Sequence, residues 1–171
     1  MTQGAPSAAM RVAPLPVSGI AHAYRQGVLA GVFGAALLAV WFFYLDWGRG
    51  RPLYTPTLMA TALLQAGSGL PSPETLAPSL RLTLLFTVVH GTVFILLGVA
   101  AAHLLYVAER GRGFATHVLA MLVVFSVLGL GFFGFALTFA PVAVNVLDVQ
   151  DVLLGNGIAA AGMVVHLLRH Y

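Results

Sequence analysis

The stretch that decides the fold is residues 27–65, GVLAGVFGAALLAVWFFYLDWGRGRPLYTPTLMATALLQ. Its first part, residues 27–45, is an uncharged apolar run close to the length of about 20 residues that a helix needs to cross a bilayer. Its second part, residues 46–65, gathers an aspartate, arginines, prolines and threonines. This change of composition predicts a membrane span that ends where the chain meets water, at Asp46.

The composition of the whole chain favours lipid as its solvent. Of the 171 residues, 60% are hydrophobic and 8% are charged, whereas an ordinary soluble domain carries about 25% charged residues. The formal charge of +3 comes from arginines scattered at the ends of apolar runs, which is typical of anchors to lipid headgroups and not of a nucleic-acid surface. The absence of cysteine excludes disulfides, zinc–thiolate sites and thiol catalysis.

Three further apolar runs have the length of a span. They cover residues 80–107, 114–140 and 152–168. The sequence therefore predicts an all-α polytopic membrane protein with four transmembrane helices. Residues 1–26 are predicted to form an N-terminal lead-in, and residues 27–171 a single transmembrane domain with an extramembrane loop at 46–79. Arginines are more numerous on the side of the termini than on the side of this loop, so the positive-inside rule predicts both termini in the cytoplasm, with the protein in the inner membrane.

The loop carries its own structural signals. Gly48 and Gly50 relax the backbone, and Pro52 prevents the helix from continuing. Thr55 as a cap and Pro56 at the first helical position predict a short interfacial helix. These residues have a local structural role in the loop, with docking onto a partner as the alternative. The loop residues concerned are Asp46, Arg49, Arg51, Pro52, Tyr54, Thr55 and Pro56.

Small residues recur at a spacing of four in two of the spans. The first span has Gly27, Gly31 and Ala35, and the fourth has Gly155 and Ala159. Such faces allow close approach of helix backbones in lipid. They serve either the chain's own bundle or the helices of another subunit, and their occurrence on several faces favours the second use. Asn156, beside Gly155, is predicted to form an interhelical hydrogen bond, with a ligand site as the alternative.

The histidines are the main candidates for chemistry. His90 lies in the middle of the second span, where an imidazole either bonds to a neighbouring helix or serves as an axial ligand to a haem, pigment or metal. His103, His117 and His166 are predicted at similar depth on three helices, where they either bond to carbonyls and water or together hold one haem, one chlorophyll-type pigment or one metal ion. His90 and His103 are 13 positions apart, which turns them about 140° from each other on a straight helix and disfavours a pair of stacked haems.

No reactive constellation accompanies these residues. The sequence has no acidic residue at mid-depth in a span, no phosphate-binding loop and no serine–histidine–acid set. We therefore expect a non-enzymatic protein that acts as an accessory or stabilising subunit of a larger, energy-converting membrane complex. Its predicted partners are the lipid bilayer and other integral membrane subunits. The alternatives are a haem-, pigment- or metal-binding protein, and a small transporter or channel with a wet path near Thr87, His90 and Asn156.

The loop also resembles a stretch in small bacterial four-helix membrane proteins of uncharacterised function, in which an apolar helix ends in an aspartate followed by Gly-Arg-Pro-Leu-x-Thr-Pro. The matching positions here are Asp46, Gly50, Arg51, Pro52, Leu53, Thr55 and Pro56. Residues 88–105, with His90, Phe94 and Gly98, are similar to an inner helix of those proteins, and residues 153–171 to their last helix. The resemblance implies the same four-helix architecture and a specific use of the loop, but no activity.

Overall fold

The computed structural model describes residues 17–65, 75–108 and 146–170, with single positions at 118, 121, 122, 125, 126, 128, 129 and 134. In this part of the chain the regular elements are helices. They are α1, Val17–Gly48; α2, Tyr54–Leu64; α3, Leu80–Ala108; and α4, Val149–His170. Three of them, α1, α3 and α4, are long and apolar enough to cross a membrane. The prediction of an all-α, membrane-spanning chain is confirmed at this level, while the predicted span at 114–140 lies mostly outside the described residues.

Helix α1 begins at Val17, well before the predicted span. Residues 17–26 therefore belong to the first helix, although the sequence analysis assigned them to the lead-in. No proline occurs between Pro16 and Pro52, so every residue of α1 has a backbone N–H donor. Ala23 and Gln26 are buried, which shows that this extension packs against the bundle and is not a free overhang.

The centre of the fold is a close contact between the backbones of α1 and α3. A Cβ placed on Gly27 would lie 2.7 Å from the carbonyl oxygen of Gly98, and one placed on Gly31 would lie 2.6 Å from the Cα of Ile95. Only glycine permits this approach, because any side chain at these positions would overlap the facing backbone. The core beside the contact includes Ala30, fully buried, together with Phe94.

Helix α4 packs on α1 through a second set of small residues. A Cβ on Gly155 would meet the Trp41 ring at 2.6 Å, and one on Gly34 would meet the Met163 side chain at 2.6 Å. Ala159 is fully buried in the same interface. The preference for external partners that we inferred from these faces is therefore wrong for Gly27, Gly31 and Gly155, because other helices of the same chain already cover them.

The starts of α3 and α4 are capped by short polar side chains. The Ser79 hydroxyl accepts the N–H of Leu82 at the start of α3 (3.4 Å), and the Asp148 carboxylate accepts the N–H of Gln150 at the start of α4 (2.8 Å). Helix α2 rests mainly on α3. Its Thr57 hydroxyl accepts the backbone N–H of Ser79 at 3.0 Å, so one buried side chain joins α2 to the beginning of α3.

Candidate functional site

The loop after α1 starts with a glycine that ends the helix. The N–H of Arg51 donates to the carbonyl of Asp46 (2.9 Å), and the N–H of Gly50 donates to the carbonyl of Trp47 (3.0 Å). Gly50 has φ +69°, so these bonds form a Schellman motif with glycine in the left-handed conformation. The predicted turn is therefore present at Gly50, while Gly48 is still part of α1.

A tight turn then leads into α2. The N–H of Tyr54 donates to the carbonyl of Arg51 (3.1 Å), with Pro52 and Leu53 as the two central residues. Leu53 has φ 66° and ψ 13°, which together with proline before it is the pattern of a type II turn. A leucine in this conformation is strained by roughly 1–2 kcal/mol. Its side chain faces a cavity described below, so the strain is located at the site.

Asp46 caps the beginning of α2 from the end of α1. Its carboxylate is 1% exposed and accepts the backbone N–H of Thr55 (2.8 Å) and the Thr55 hydroxyl (2.7 Å). The prediction that Thr55 is the cap was wrong, because the helix already begins at Tyr54, with Pro56 as its third residue. The backbone N–H of Thr55 donates instead to the carboxylate of Asp46, nine residues earlier in the chain. A negative charge at the start of α2 is also favoured by the helix dipole.

Two arginines tie the loop to the rest of the chain. Arg49 forms a salt bridge with Asp151 in the first turn of α4, and the indole N–H of Trp41 donates to the backbone carbonyl of Asp151 (2.9 Å). Arg51 donates to the carbonyl of Leu76 (2.8 Å) and stacks over the Tyr54 ring at 4.0 Å. The loop thus connects α1 to α4 and to the segment before α3.

A cavity lies between α1 and α3, on the Asp46 side of their glycine contact. Its volume is about 640 Å³, and its walls come from α1, α3, the turn before α2, α2 itself and the beginning of α4. This volume falls in the range of small-molecule sites. The walls are mainly apolar, and their aromatic members are Phe42, Phe43 and Phe86. The cavity is partly open, and its lining includes the exposed residues Val40 and Phe43 of α1.

Most polar side chains in the cavity wall are already bonded within the chain. Asp46 and Thr55 bond to each other, and the Thr87 hydroxyl donates to the carbonyl of Thr83 (2.8 Å). His90 and Asn156 differ. Both line the cavity, and neither has a hydrogen bond recorded anywhere in the described part of the chain. Since no fully buried side-chain nitrogen or oxygen there lacks a partner, the polar atoms of these two residues stay accessible from the cavity.

His90 and Asn156 therefore line the same cavity from different helices. The His90 ring packs between Phe86 (centroids 5.3 Å apart) and Phe94 (4.5 Å) of its own helix. Asn156 is 5% exposed on α4. The interhelical hydrogen bond predicted for Asn156 is not seen with any described residue. Helices far apart in the chain supply the two side chains, so no local sequence pattern indicates that they share a cavity.

The remaining candidate histidines have other surroundings. His103 is exposed and stacks on Tyr24 at 6.0 Å. The ring nitrogen of His166 lies 3.2 Å from the Gln26 side-chain oxygen, and His117 lies outside the described residues. Among the residues that the structure describes, no group of three histidine or acidic side chains is arranged to hold a metal ion. His103 and His166 engage different residues of α1, and the cluster predicted for them stays a prediction.

Comparison of the chain with protein-family models, curated proteins and solved structures found no match. The resemblance of the loop to small bacterial four-helix membrane proteins is therefore untested.

Proposed function

We propose that this chain is an integral membrane protein that binds a small hydrophobic molecule in the cavity between α1 and α3. One observation carries the proposal: His90 and Asn156 line one mainly apolar cavity, and neither has a hydrogen bond to the part of the chain that the structure describes. A polar group left without a partner in such a place costs about 1–3 kcal/mol. Ionisable and polar residues at membrane depth are usually functional for this reason.

An apolar side chain at either position would avoid this cost. Leucine or phenylalanine would fill part of the cavity and leave no donor or acceptor unbonded. A chain selected only for packing therefore has no use for histidine and asparagine here. A ligand that supplies the missing hydrogen bonds explains both the polar groups and the space between them, because destabilising features are tolerated at binding sites.

The same cavity gives less support to a transport path. Thr87, His90 and Asn156, which the transporter alternative requires near one another, do share its wall. However, the wall is mainly apolar, and the glycine contact between α1 and α3 closes the gap at one end. Water and ions need polar groups along a continuous path. We propose a binding role without catalysis, since the threonine hydroxyls of the wall are already engaged.

The experiment uses a glycine whose side chain would grow into the cavity. A Cβ on Gly91 meets no atom of the described residues within 4 Å, and Gly91 lines the cavity, so Gly91→Leu fills the space without overlap with the described backbones. Gly157→Leu is the matched control, because a Cβ on Gly157 also meets nothing within 4 Å and Gly157 is not part of the cavity wall. Both variants and the wild type are purified from native membranes in mild detergent.

Native mass spectrometry then measures what each chain carries. We expect one small molecule per wild-type chain, the same molecule on Gly157→Leu, and none on Gly91→Leu. Thermal unfolding checks that Gly91→Leu is folded. If the wild type carries nothing, or if the filled variant carries as much as the control, the proposal is wrong.

The role of accessory subunit stays a prediction. It was motivated in part by small-residue faces, and these are now used between α1, α3 and α4. The remaining support for this role is the exposed apolar surface of the helices, including Tyr44 and Trp47 at the end of α1. Lipid and headgroups cover such a surface as readily as a partner subunit does. Co-purification of a second membrane protein with the intact chain would support this role, and a strictly monomeric preparation would contradict it.

A further inference from the structure

The lining of the cavity also limits the chemistry of its ligand. We infer that the ligand is an uncharged, lipid-soluble ring compound that carries a carbonyl oxygen, as in the quinones. This inference rests on the proposed function and adds the class of molecule. It depends on three properties of the wall, namely its charge, its hydrogen-bonding groups and its aromatic side chains.

The charge of the cavity wall excludes the common anionic amphiphiles as ligands. Asp46 is the charged residue among the described members of the wall, which include no arginine or lysine. A carboxylate or phosphate in the cavity would therefore lose its hydration without gaining a cation, and it would be repelled by Asp46. Fatty acids, phospholipid headgroups and the propionates of haem all carry such groups. A neutral molecule avoids both costs.

The hydrogen-bonding groups favour an acceptor on the ligand. A neutral imidazole has one N–H donor, and a carboxamide has two. His90 and Asn156 can thus each donate to an oxygen of the ligand, and a carbonyl accepts from either without having to donate. The two residues belong to different helices, α3 and α4, so a ligand that contacts both is held between them.

Aromatic side chains favour a flat ring. Phe42 and Phe43 from α1 and Phe86 from α3 all line the cavity, and aromatic rings stack on or meet edge-to-face with planar ligands. The cavity is partly open, and its lining includes Val40 and Phe43, two exposed residues in the apolar run of α1. A lipid-soluble molecule reaches such an opening from the hydrocarbon, without passing through water.

Binding of defined probes tests the inference. The probes are 2-methyl-1,4-naphthoquinone as the uncharged ring ketone, oleate as an anionic chain and haemin as an anionic tetrapyrrole. Calorimetric titration of the ligand-stripped wild type is corrected by titration of Gly91→Leu, which removes the contribution of simple partition into the detergent. We expect saturable 1:1 binding of the naphthoquinone, and no saturable binding of oleate or haemin.

Two variants separate recognition from folding. His90→Phe and Asn156→Leu should each weaken naphthoquinone binding about tenfold, since each loses one hydrogen bond to the ligand. Both should unfold at the same or a higher temperature than the stripped wild type. Binding of oleate or haemin in place of the quinone would overturn this inference and leave the proposed function intact. If no probe binds and the protein purified from native membranes carries no small molecule, both this inference and the proposed function are overturned.

Discussion

Replacement of Gly98 by alanine tests the central contact of the fold. The new Cβ would lie 2.7 Å from the backbone nitrogen of Gly31 and also overlap the carbonyl oxygen of Gly27. An ordinary contact begins at 3.4 Å. The contact with the Gly31 nitrogen alone therefore requires α1 and α3 to separate by at least about 0.7 Å, the difference between these distances, or to bend locally, and the closer overlap with Gly27 requires more. Overpacking of this kind costs about 1–3 kcal/mol.

Gly91→Ala on the same helix is the matched control, because a Cβ there meets nothing within 4 Å. Both substitutions replace glycine by alanine inside a helix, which by itself stabilises by about 0.5–1 kcal/mol. The difference between the free energies of unfolding of the two variants therefore isolates the steric cost of the contact at Gly98. For a chain of this size each kcal/mol corresponds to a shift of about 2–4 °C in Tm.

The assay is unfolding of the purified protein in detergent, by heat and by titration with sodium dodecyl sulfate, followed by circular dichroism. Gly91→Ala should match or exceed the stability of the wild type, and Gly98→Ala should fall about 1–3 kcal/mol below the control. If the two variants unfold together, α1 and α3 do not meet at Gly98, and the position assigned to the cavity beside that contact is wrong.

Three further predictions concern the loop and the topology. Asp46→Ala should destabilise by about 2–4 kcal/mol in the same assay, because it leaves a buried N–H of α2 unbonded, whereas Asp46→Asn keeps an acceptor and should cost about 1 kcal/mol. A double-mutant cycle for Arg49 and Asp151 should give a coupling of at most about 1 kcal/mol that weakens with salt, since the Arg49 side chain is 50% exposed. The chain has no cysteine, so single cysteines at Gln65 and Arg169 report topology by labelling intact cells with an impermeant thiol reagent. With four spans, the cysteines at positions 65 and 169 lie on opposite sides of the membrane, and only the one at 65 is labelled from outside. Equal labelling of the two cysteines would mean three spans or five.

The membrane character of the chain was predictable because it depends on composition alone. Residues 27–45 have no charge and the length of a span, and the structure contains them within α1. The turn at Gly50 and Pro52 was also predictable, since glycine and proline act on the local backbone. The actual start of α1 was missed, because polar residues such as Gln26 pack inside the bundle and extend the helix past the apolar run.

The cap of α2 shows why local rules fail at the loop. Thr55 followed by Pro56 has the sequence of a helix start. The turn at Pro52 and Leu53 begins the helix earlier and brings Thr55 under the carboxylate of Asp46. That placement depends on the Schellman motif and the turn acting together, so a pattern confined to a few residues does not contain it.

The use of the small-residue faces could not be decided from the sequence. Gly27 and Gly31 signal close approach of a helix, but the spacing does not say which helix approaches. The structure assigns the facing backbone to Gly98 of α3. Likewise, His90 and Asn156 each looked like an isolated polar residue, and their common cavity follows only from the packing of α3 and α4 around α1.

The most direct test is a crystallographic map of the protein extracted from its own membranes and crystallised in a lipidic mesophase. The account predicts density for a flat, uncharged molecule between α1 and α3, with oxygen atoms within hydrogen-bond distance of the His90 imidazole and the Asn156 amide. A cavity filled by the chain's own side chains, with His90 and Asn156 bonded to protein groups, would contradict it.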